Sequence, residues 1–285
     1  MVTIVLKGGL GNQAFQYAFG RRLEAEGNEV QFDLSVLNGD STRAYVLDRF
    51  NTKVKTGPRL GEFKHEFYRQ TLDEGDLFYK PEFIKKYERD VTLDGYWQCE
   101  KYFLPIQDQI RAEFTLKNPP SEKTLAVVRE IENSESISLH VRRTDNLSER
   151  GLAFHGLGSV EYWTRAVQEI FKKVRSPKFF IFSDDIEWCK QQPYFAGAAF
   201  VDHNTTGVIE DERHVLTKTT NGTEHEDLWL MSRCKHAVLA TSSFSFWGAW
   251  LIQNPEKVVV APARWFIGDY NRMSRDIIPE NWIRV

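Results

Sequence analysis

The sequence predicts an α/β protein of two doubly wound domains facing a cleft. Three observations carry that prediction. The chain opens with a strand, a glycine turn, a helix and a second strand, the start of a parallel, helix-connected sheet. The cluster Asn118-Pro119-Pro120-Ser121 then breaks the pattern and starts a helix. Beyond it, strands alternate with helices, and several strands run into polar or charged residues. The expected domains are 1–118 and 119–285, and parallel sheets of this kind place ligands at the carboxyl ends of their strands.

Residues 3–7 form a β-branched, apolar run ended by Gly8-Gly9, hence a strand and a turn. Within 12–26, Phe15, Ala18, Phe19 and Leu23 recur at helical spacing, and Gly27-Asn28 ends that helix. Residues 29–33 are the next strand. Residues 34–95 alternate aromatic and charged side chains without a clean period and read as loops and short helices; 102–114 reads as a helix. After the break, 136–141 is a strand with Arg142 and Arg143 at its end. The segment 160–174 carries Trp163, Val167, Ile170, Phe171 and Val174 on one helical stripe. Then follow a strand at 178–182, a helix at 226–233, a strand at 237–241, a helix at 243–253 and a last strand at 258–261.

A chain of 285 residues, 41% hydrophobic and 27% charged, lies in the globular range and buries a core without a disulfide or metal staple. Lys and Arg number 37 against 40 Asp and Glu, a net charge of -3, which argues against a nucleic-acid partner. No apolar run reaches the roughly 18–20 residues of a membrane span. Residues 1–12 have no basic region ahead of their short apolar stretch, so no export signal is expected. Cys99, Cys189 and Cys234 are odd in number and far apart, with neither a disulfide framework nor zinc spacing. A cytoplasmic protein is expected.

The turn Gly9-Leu10-Gly11-Asn12-Gln13-Ala14 matches G-x-G-x-x-G/A, and Asp33 stands about where a ribose-binding acid belongs. Alone it points to a dinucleotide enzyme, or to a tight turn that needs glycine. The adjacent carboxamides of Asn12 and Gln13 instead suit a hydroxyl-rich ligand, at a helix start whose N–H groups attract anions. The run His140-Val141-Arg142-Arg143-Thr144-Asp145 places two guanidinium groups at a strand end. They match phosphate oxygens bidentately, or form a structural ion pair such as Arg143 with Asp145 or Asp184. His140, two residues before Arg142 on the same side of the strand, reads a base edge or fills the core. Asp184 and Asp185 bind metal or cap a helix. No two aspartates in the chain are spaced D-x-D, which favours metal-free chemistry and no metal site. In 241–250 a strand runs into Ser242 and Ser243, hydroxyls at a helix start that hold an anion or only cap the helix. The absence of G-x-S-x-G there excludes a nucleophile elbow, and Phe244, Trp247 and Trp250 read as core.

Together these segments resemble the α-1,2-fucosyltransferases of glycosyltransferase family 11 in their bacterial form. The likeness runs the length of the chain: GLGNQAFQYA at 9–18, HVRRTD at 140–145, His155-Gly156 before a Tyr-Trp helix, FSDD at 182–185, EDLWLMSRC at 226–234, TSSFSFWGAWL at 241–251, and VVVAPARWF and IIPENW within 258–282. The chain departs from the family at Ala14 (usually Met), at residues 144–146 (usually Gly-Asp-Tyr) and at Phe246 (usually Trp). The second departure bears on the acceptor more than on the donor.

The resemblance implies a GT-B fold of two Rossmann-like domains, an acceptor-side N-terminal one and a C-terminal one that holds GDP-fucose. It implies inversion at the anomeric carbon, no cofactor and no metal. The pattern at 140–145 is also similar to that of the α-1,6- and protein O-fucosyltransferases. By that similarity Arg142 takes the β-phosphate, His140 and Asp227 read guanine, Ser243 takes phosphate, and Asn12 lies near the fucose and diphosphate. Gln13, Arg143, Asp184 and Ser242 complete the expected donor set. The acceptor would be a galactose-containing glycan attacked through its 2-hydroxyl, with peripheral contact at the inner membrane as an option. Asp145, Glu149 and His155 stand beside Arg142 as catalytic candidates, any of the three serving as base, and a dispersed, water-mediated proton transfer is the other route.

Two other classes fit part of the sequence. An NAD(P)-dependent oxidoreductase would use the Gly9-to-Ala14 loop and Asp33, and would leave the arginine pair without a role. A non-catalytic carbohydrate-binding protein would draw on the eight tryptophans and need no diphosphate site.

Overall fold

The structure is a computed structural model that describes every residue except 40–42, 59–65, 70–77, 144–146, 148–151, 153–157, 211–215, 221–222, 269–270 and 272–273, with backbone only at 205–210 and 216–220. The chain divides into two compact units, Met1–Asn118 with Arg272–Pro279, and Pro119–Asn271 with Glu280–Val285. The grouping of 272–279 with the first unit departs from an uninterrupted segment 119–285.

The first unit contains β1 (Val2–Val5), α1 (Leu10–Ala25), β2 (Val30–Asp33), α2 (Ser35–Asn38), β3 (Glu66–Arg69), β4 (Val91–Asp94) and α3 (Gln107–Glu113). Its sheet is parallel throughout, in the order β2-β1-β4-β3. The turn into α1 depends on Gly8, whose φ of 76° is the left-handed region that glycine enters without strain. Gly20 lets α1 lie close on β2, because a Cβ there would meet the Phe32 ring at 2.6 Å. The core is aromatic: Phe19 stacks on Trp97 at 4.3 Å, and Tyr102 meets Phe19 edge-on at 5.1 Å.

Two sequence expectations change here. Residues 34–95 contribute β3 and β4, each four residues long. β4 is buried on both faces, so Val-Thr-Leu-Asp carries no alternation to reveal it. The expected helix at 102–114 begins only at Gln107, preceded by 3₁₀ turns, the second of which contains Pro105 with its missing N–H.

The second unit contains α4 (Glu122–Glu132), β5 (Glu135–Val141), α5 (Val160–Lys173), β6 (Pro177–Ser183), α6 (Ile186–Lys190), β7 (Ala199–Phe200), β8 (Thr205–Glu210), β9 (Leu216–Thr220), α7 (Glu224–Arg233), β10 (His236–Val238), α8 (Ser243–Leu251), β11 (Val259–Ala261) and β12 (Ile283–Arg284). β8 and β9 form an antiparallel hairpin. The other strands make a parallel sheet in the order β12-β11-β10-β5-β6-β7.

Helices cover both faces of this sheet. Ile137, Leu139 and Val141 of β5 pack with Trp163, Ala166 and Ile170 of α5. Phe180 and Phe182 of β6 pack on the other face with Val128 and Ile131 of α4 and Leu230 and Met231 of α7. Side chains alternate faces along a strand, so His140 lies on the α4/α7 face. Ser121, Ser159, Asp185 and Ser242 cap α4, α5, α6 and α8 through their side chains.

The three cysteines are buried free thiols, and burial pushes those of Cys99 and Cys189 up to about 12. Among the described residues no helix is long and apolar enough to cross a membrane.

Candidate functional site

In a parallel sheet the ligand crevice opens where neighbouring strands send the chain in opposite directions. In the second unit that point lies between β5 and β10, since β5 leads to β6 on one side and β10 to β11 on the other. His140, Arg142 and Arg143 stand at or just beyond the carboxyl end of β5. Ser242 and Ser243 follow β10. A helix that precedes or follows a parallel strand starts at the sheet's carboxyl edge, so the first turn of α7, with Asp227, lies at that edge too. The topology therefore brings together His140, Arg142, Asp227, Ser242 and Ser243, which are more than a hundred residues apart at the extremes.

Arg143 is held through both its backbone and its side chain. The backbone N–H of Arg143 donates to Asp184 Oδ1 at 2.9 Å, which fixes the peptide that follows Arg142. The Arg143 side chain donates through Nε to Asp185 Oδ2 at 3.1 Å, and its guanidinium lies 3.7 Å from the Trp188 ring centroid. Asp185 also caps α6 by accepting from Trp188 N at 3.2 Å. Stacking and ion pairing thus hold Arg143 as a buttress. Arg143, expected in the donor set, thus has Asp185 as its ion-pair partner. Asp184 is buried, and through the Arg143 backbone N–H it orients the Arg142–Arg143 turn.

Helix α8 begins with Ser242 as its cap, the hydroxyl accepting from Phe244 N at 3.3 Å. Ser243, partly exposed, is the first helical residue, and the first turn carries the N–H groups that every helix start presents. Ser245 is turned inward, donating to Ala240 O at 3.0 Å. Phe244 lies between these serines and β5, its ring 5.6 Å from that of His140. Tyr162 of α5, whose phenol burial pushes well above its usual range, donates to Leu239 O at 2.5 Å and ties α5 to the end of β10. Phe246 is buried against Trp282 at 5.2 Å. Asp227 is buried and accepts from Asn204 Nδ2 at 2.8 Å.

At the carboxyl edge of the first sheet, β1 runs through the glycine turn into α1. Asn12, partly exposed at the start of α1, accepts from Gln98 Nε2 at 2.7 Å. Gln13 is fully buried: its Nε2 donates to Gly8 O and Ala44 O, and its Oε1 accepts from Val46 N. Gln13 thus braces 44–46 against the glycine turn. Asp33 is buried too, with its oxygens accepting from Ser35 N at 2.8 Å and Ser35 Oγ at 3.0 Å. Each of its oxygens thus has a protein partner.

Asp145, Glu149 and His155 lie outside the described residues. Among the described residues no group of three His, Cys, Asp or Glu side chains could hold a metal ion. Sequence reasoning missed Trp188, Asp185 as Arg143's partner, Tyr162 and Asn204. Trp188, three residues after a capping aspartate, was the one with a local signal; Asn204 reaches Asp227 only through the fold.

A family model for glycosyl transferase family 11 matches residues 1–285. An alpha-1,2-colitosyltransferase of Escherichia coli is 31% identical, over 100% of this chain and 99% of its own length. The O-antigen biosynthesis glycosyltransferase WbnK of Escherichia coli is 27% identical over 98% of this chain and 99% of its own. A galactoside alpha-(1,2)-fucosyltransferase 1 of Ateles belzebuth is 25% identical over 87% of this chain and 64% of its own. Among solved structures, the fucosyltransferase NodZ from Bradyrhizobium superposes with a TM-score of 0.51 at 15% identity, over 87% of this chain and 92% of that one, a likeness of fold. With two parallel, helix-covered sheets, the chain has the GT-B type of fold and belongs to glycosyltransferase family 11.

Proposed function

We propose that this protein transfers L-fucose from GDP-fucose to the 2-hydroxyl of a galactoside, with inversion and without metal. The observation that carries the reading is the second unit's switch point, where Arg142 leaves β5 beside the Ser242-Ser243 helix start after β10. A guanidinium and a helix N-terminus at one sheet edge suit a diphosphate, and the acid of α7 suits the N–H groups of guanine. The α-1,2 linkage rests on what the relatives of 31% and 25% identity are named for.

Glycosyl transfer passes through an oxocarbenium-like state in which the diphosphate gains charge as it leaves. Arg142 and the first turn of α8 meet that charge with donors already in place. Asp184, through the backbone of Arg143, holds Arg142's peptide so that little reorganisation is needed. The acceptor's hydroxyl proton goes to Asp145, Glu149 or His155, or to water. Peripheral attachment to the inner membrane accompanies this reading and is checked by fractionating cell lysates.

A second reading concerns the sugar. The 31% identical relative is a colitosyltransferase, and colitose is L-fucose without its 3-hydroxyl. Purified protein is incubated with a β-galactoside and either GDP-fucose or GDP-colitose, with and without EDTA, and the product linkage is read by NMR. We expect fucosylation at O2 that survives EDTA. Turnover of GDP-colitose alone would replace the sugar, and loss of activity in EDTA restored by magnesium would overturn the metal-free mechanism.

A further inference from the structure

Two consecutive acids in the first turn of α7, Glu226 and Asp227, are both buried, at 7% and 4% exposure. Buried carboxylates need dedicated donors, and each has its own. Glu226 accepts from Ser121 N at 3.2 Å and Ser121 Oγ at 2.9 Å, and from Thr124 Oγ1. Thr124 gives its proton to Glu226, so the 2.7 Å contact between Thr124 Oγ1 and His203 Nε2 has the imidazole donating. Asp227 accepts from Asn204 Nδ2 at 2.8 Å. The turn at His203 and Asn204, just past β7, therefore grips both acids, one through Thr124 and one directly. Glu226 belongs to the attachment of α4. Asp227 lies at the carboxyl edge with His140, Arg142 and Ser243.

We propose that Asn204 is a positioning residue that sets the nucleobase selectivity of the donor site by fixing the Asp227 carboxylate. This rests on the proposed GDP-sugar reading. An amide donor on one carboxylate oxygen selects one side-chain rotamer, and a carboxylate discriminates purines by accepting from the N1–H and 2-amino group that guanine has and adenine lacks. Without that donor the carboxylate would retain attraction for any donor but hold its oxygens less well matched to guanine. Asn204 is itself buried at 3% exposure, so its amide has no competing water. His203 on the same turn, hydrogen-bonded through Thr124 to Glu226, fixes where the amide stands.

The test is calorimetric titration of the full chain with GDP, IDP (which lacks the 2-amino group) and ADP. Wild type, Asn204→Ala, Asn204→Ser and Asp227→Ala are compared, with melting temperatures recorded for each. We expect Asn204→Ala to weaken GDP about 10-fold, within the range for a hydrogen bond to a charged group. The preference for GDP over IDP should shrink, and Asn204→Ser, which keeps a donor, should restore part of it. A loss of stability alone would not move that ratio. An unchanged GDP-to-IDP ratio in both folded Asn204 variants, with Asp227→Ala losing GDP, overturns the positioning role and leaves the GDP reading standing. If Asp227→Ala binds GDP as wild type does, the assignment of this site to the nucleotide fails instead. Should Asn204→Ala not fold, the Asn204→Ser ratio decides alone: a wild-type ratio at reduced GDP affinity counts against the proposal.

Discussion

At the carboxyl edge of the first sheet, Gln13 and Asp33 commit their polar atoms to protein partners. At that of the second, Arg142 and the start of α8 sit together on an edge whose supporting side chains, Asp184, Asp185, Trp188 and Tyr162, lie one step behind them. The first region has the stronger local fingerprint, a G-x-G-x-x-A turn between strand and helix. A glycine turn is required wherever a helix must leave a strand sharply and lie close on the sheet, whether or not anything binds there. Ligand chemistry follows instead from which polar groups the edge brings together.

The test of that contrast with the largest expected effect is at Arg142. Charge on the β-phosphate grows as the glycosidic bond breaks, so Arg142→Ala should lower turnover by about 10²–10³, the scale of losing one preorganised donor. Affinity for GDP-fucose should fall less. Arg142→Lys, with the charge but not the planar fork, should recover part of the loss. Arg143→Ala should cost turnover less than Arg142→Ala and lower the melting temperature, because it empties the place between Asp185 and Trp188. Single-turnover kinetics at saturating donor checks both; equal losses at the two positions would erase the distinction between ligand and buttress.

Next in size, Asp227→Ala should weaken GDP binding by about 10- to 100-fold, as for a lost charge-assisted hydrogen bond, while Asp33→Ala leaves it unchanged. The reverse order, measured by calorimetry, would move the nucleotide to the first unit.

Gln13→Ala strips the buried Val46 N–H and the carbonyls of Gly8 and Ala44 of their partner. It should cost about 1–3 kcal/mol of stability in urea unfolding and leave GDP affinity alone. A change in affinity at constant stability would restore Gln13 to the ligand set.

The smallest effect is on pH dependence. Burial lowers the pKa of His203 and His236; Glu226 and Asp202 on the first and Glu135 on the second oppose that shift, while Lys123 and Lys235 add to it. His236 also accepts from Val258 N through Nδ1 at 2.9 Å, a bond lost on protonation. A histidine depressed in the folded state contributes stability that is complete above the unfolded pKa of about 6.5 and is lost as pH falls from there towards the folded value. Urea midpoints should therefore drop between pH 7.5 and 5.5, and His236→Gln should flatten the slope.

The sequence by itself determined the α/β alternation, because β5, α5, α7, β10 and α8 are apolar runs or stripes whose period reveals them, and because serines mark the starts of α4 and α8. It also marked His140, Arg142 and Ser243, since a guanidinium at a strand end and a hydroxyl at a helix start carry their chemistry locally. Resemblance to a known family, not spacing, supplied Asp227. Only the tertiary structure decided between neighbours of the same type. Arg142 and Arg143 are indistinguishable as residues, and only the fold brings Asp184 to the peptide between them and Asp185 and Trp188 to the Arg143 guanidinium. Likewise Asn12 and Gln13 both end in a carboxamide, and α1 leaves one partly exposed and the other fully buried. Short central strands such as β4, and partners such as Asn204 and Asp227, are set by pairings between distant segments. A sequence window sees hydrophobic period and local hydrogen-bonding capacity, whereas which donor meets which acceptor depends on strand order and register.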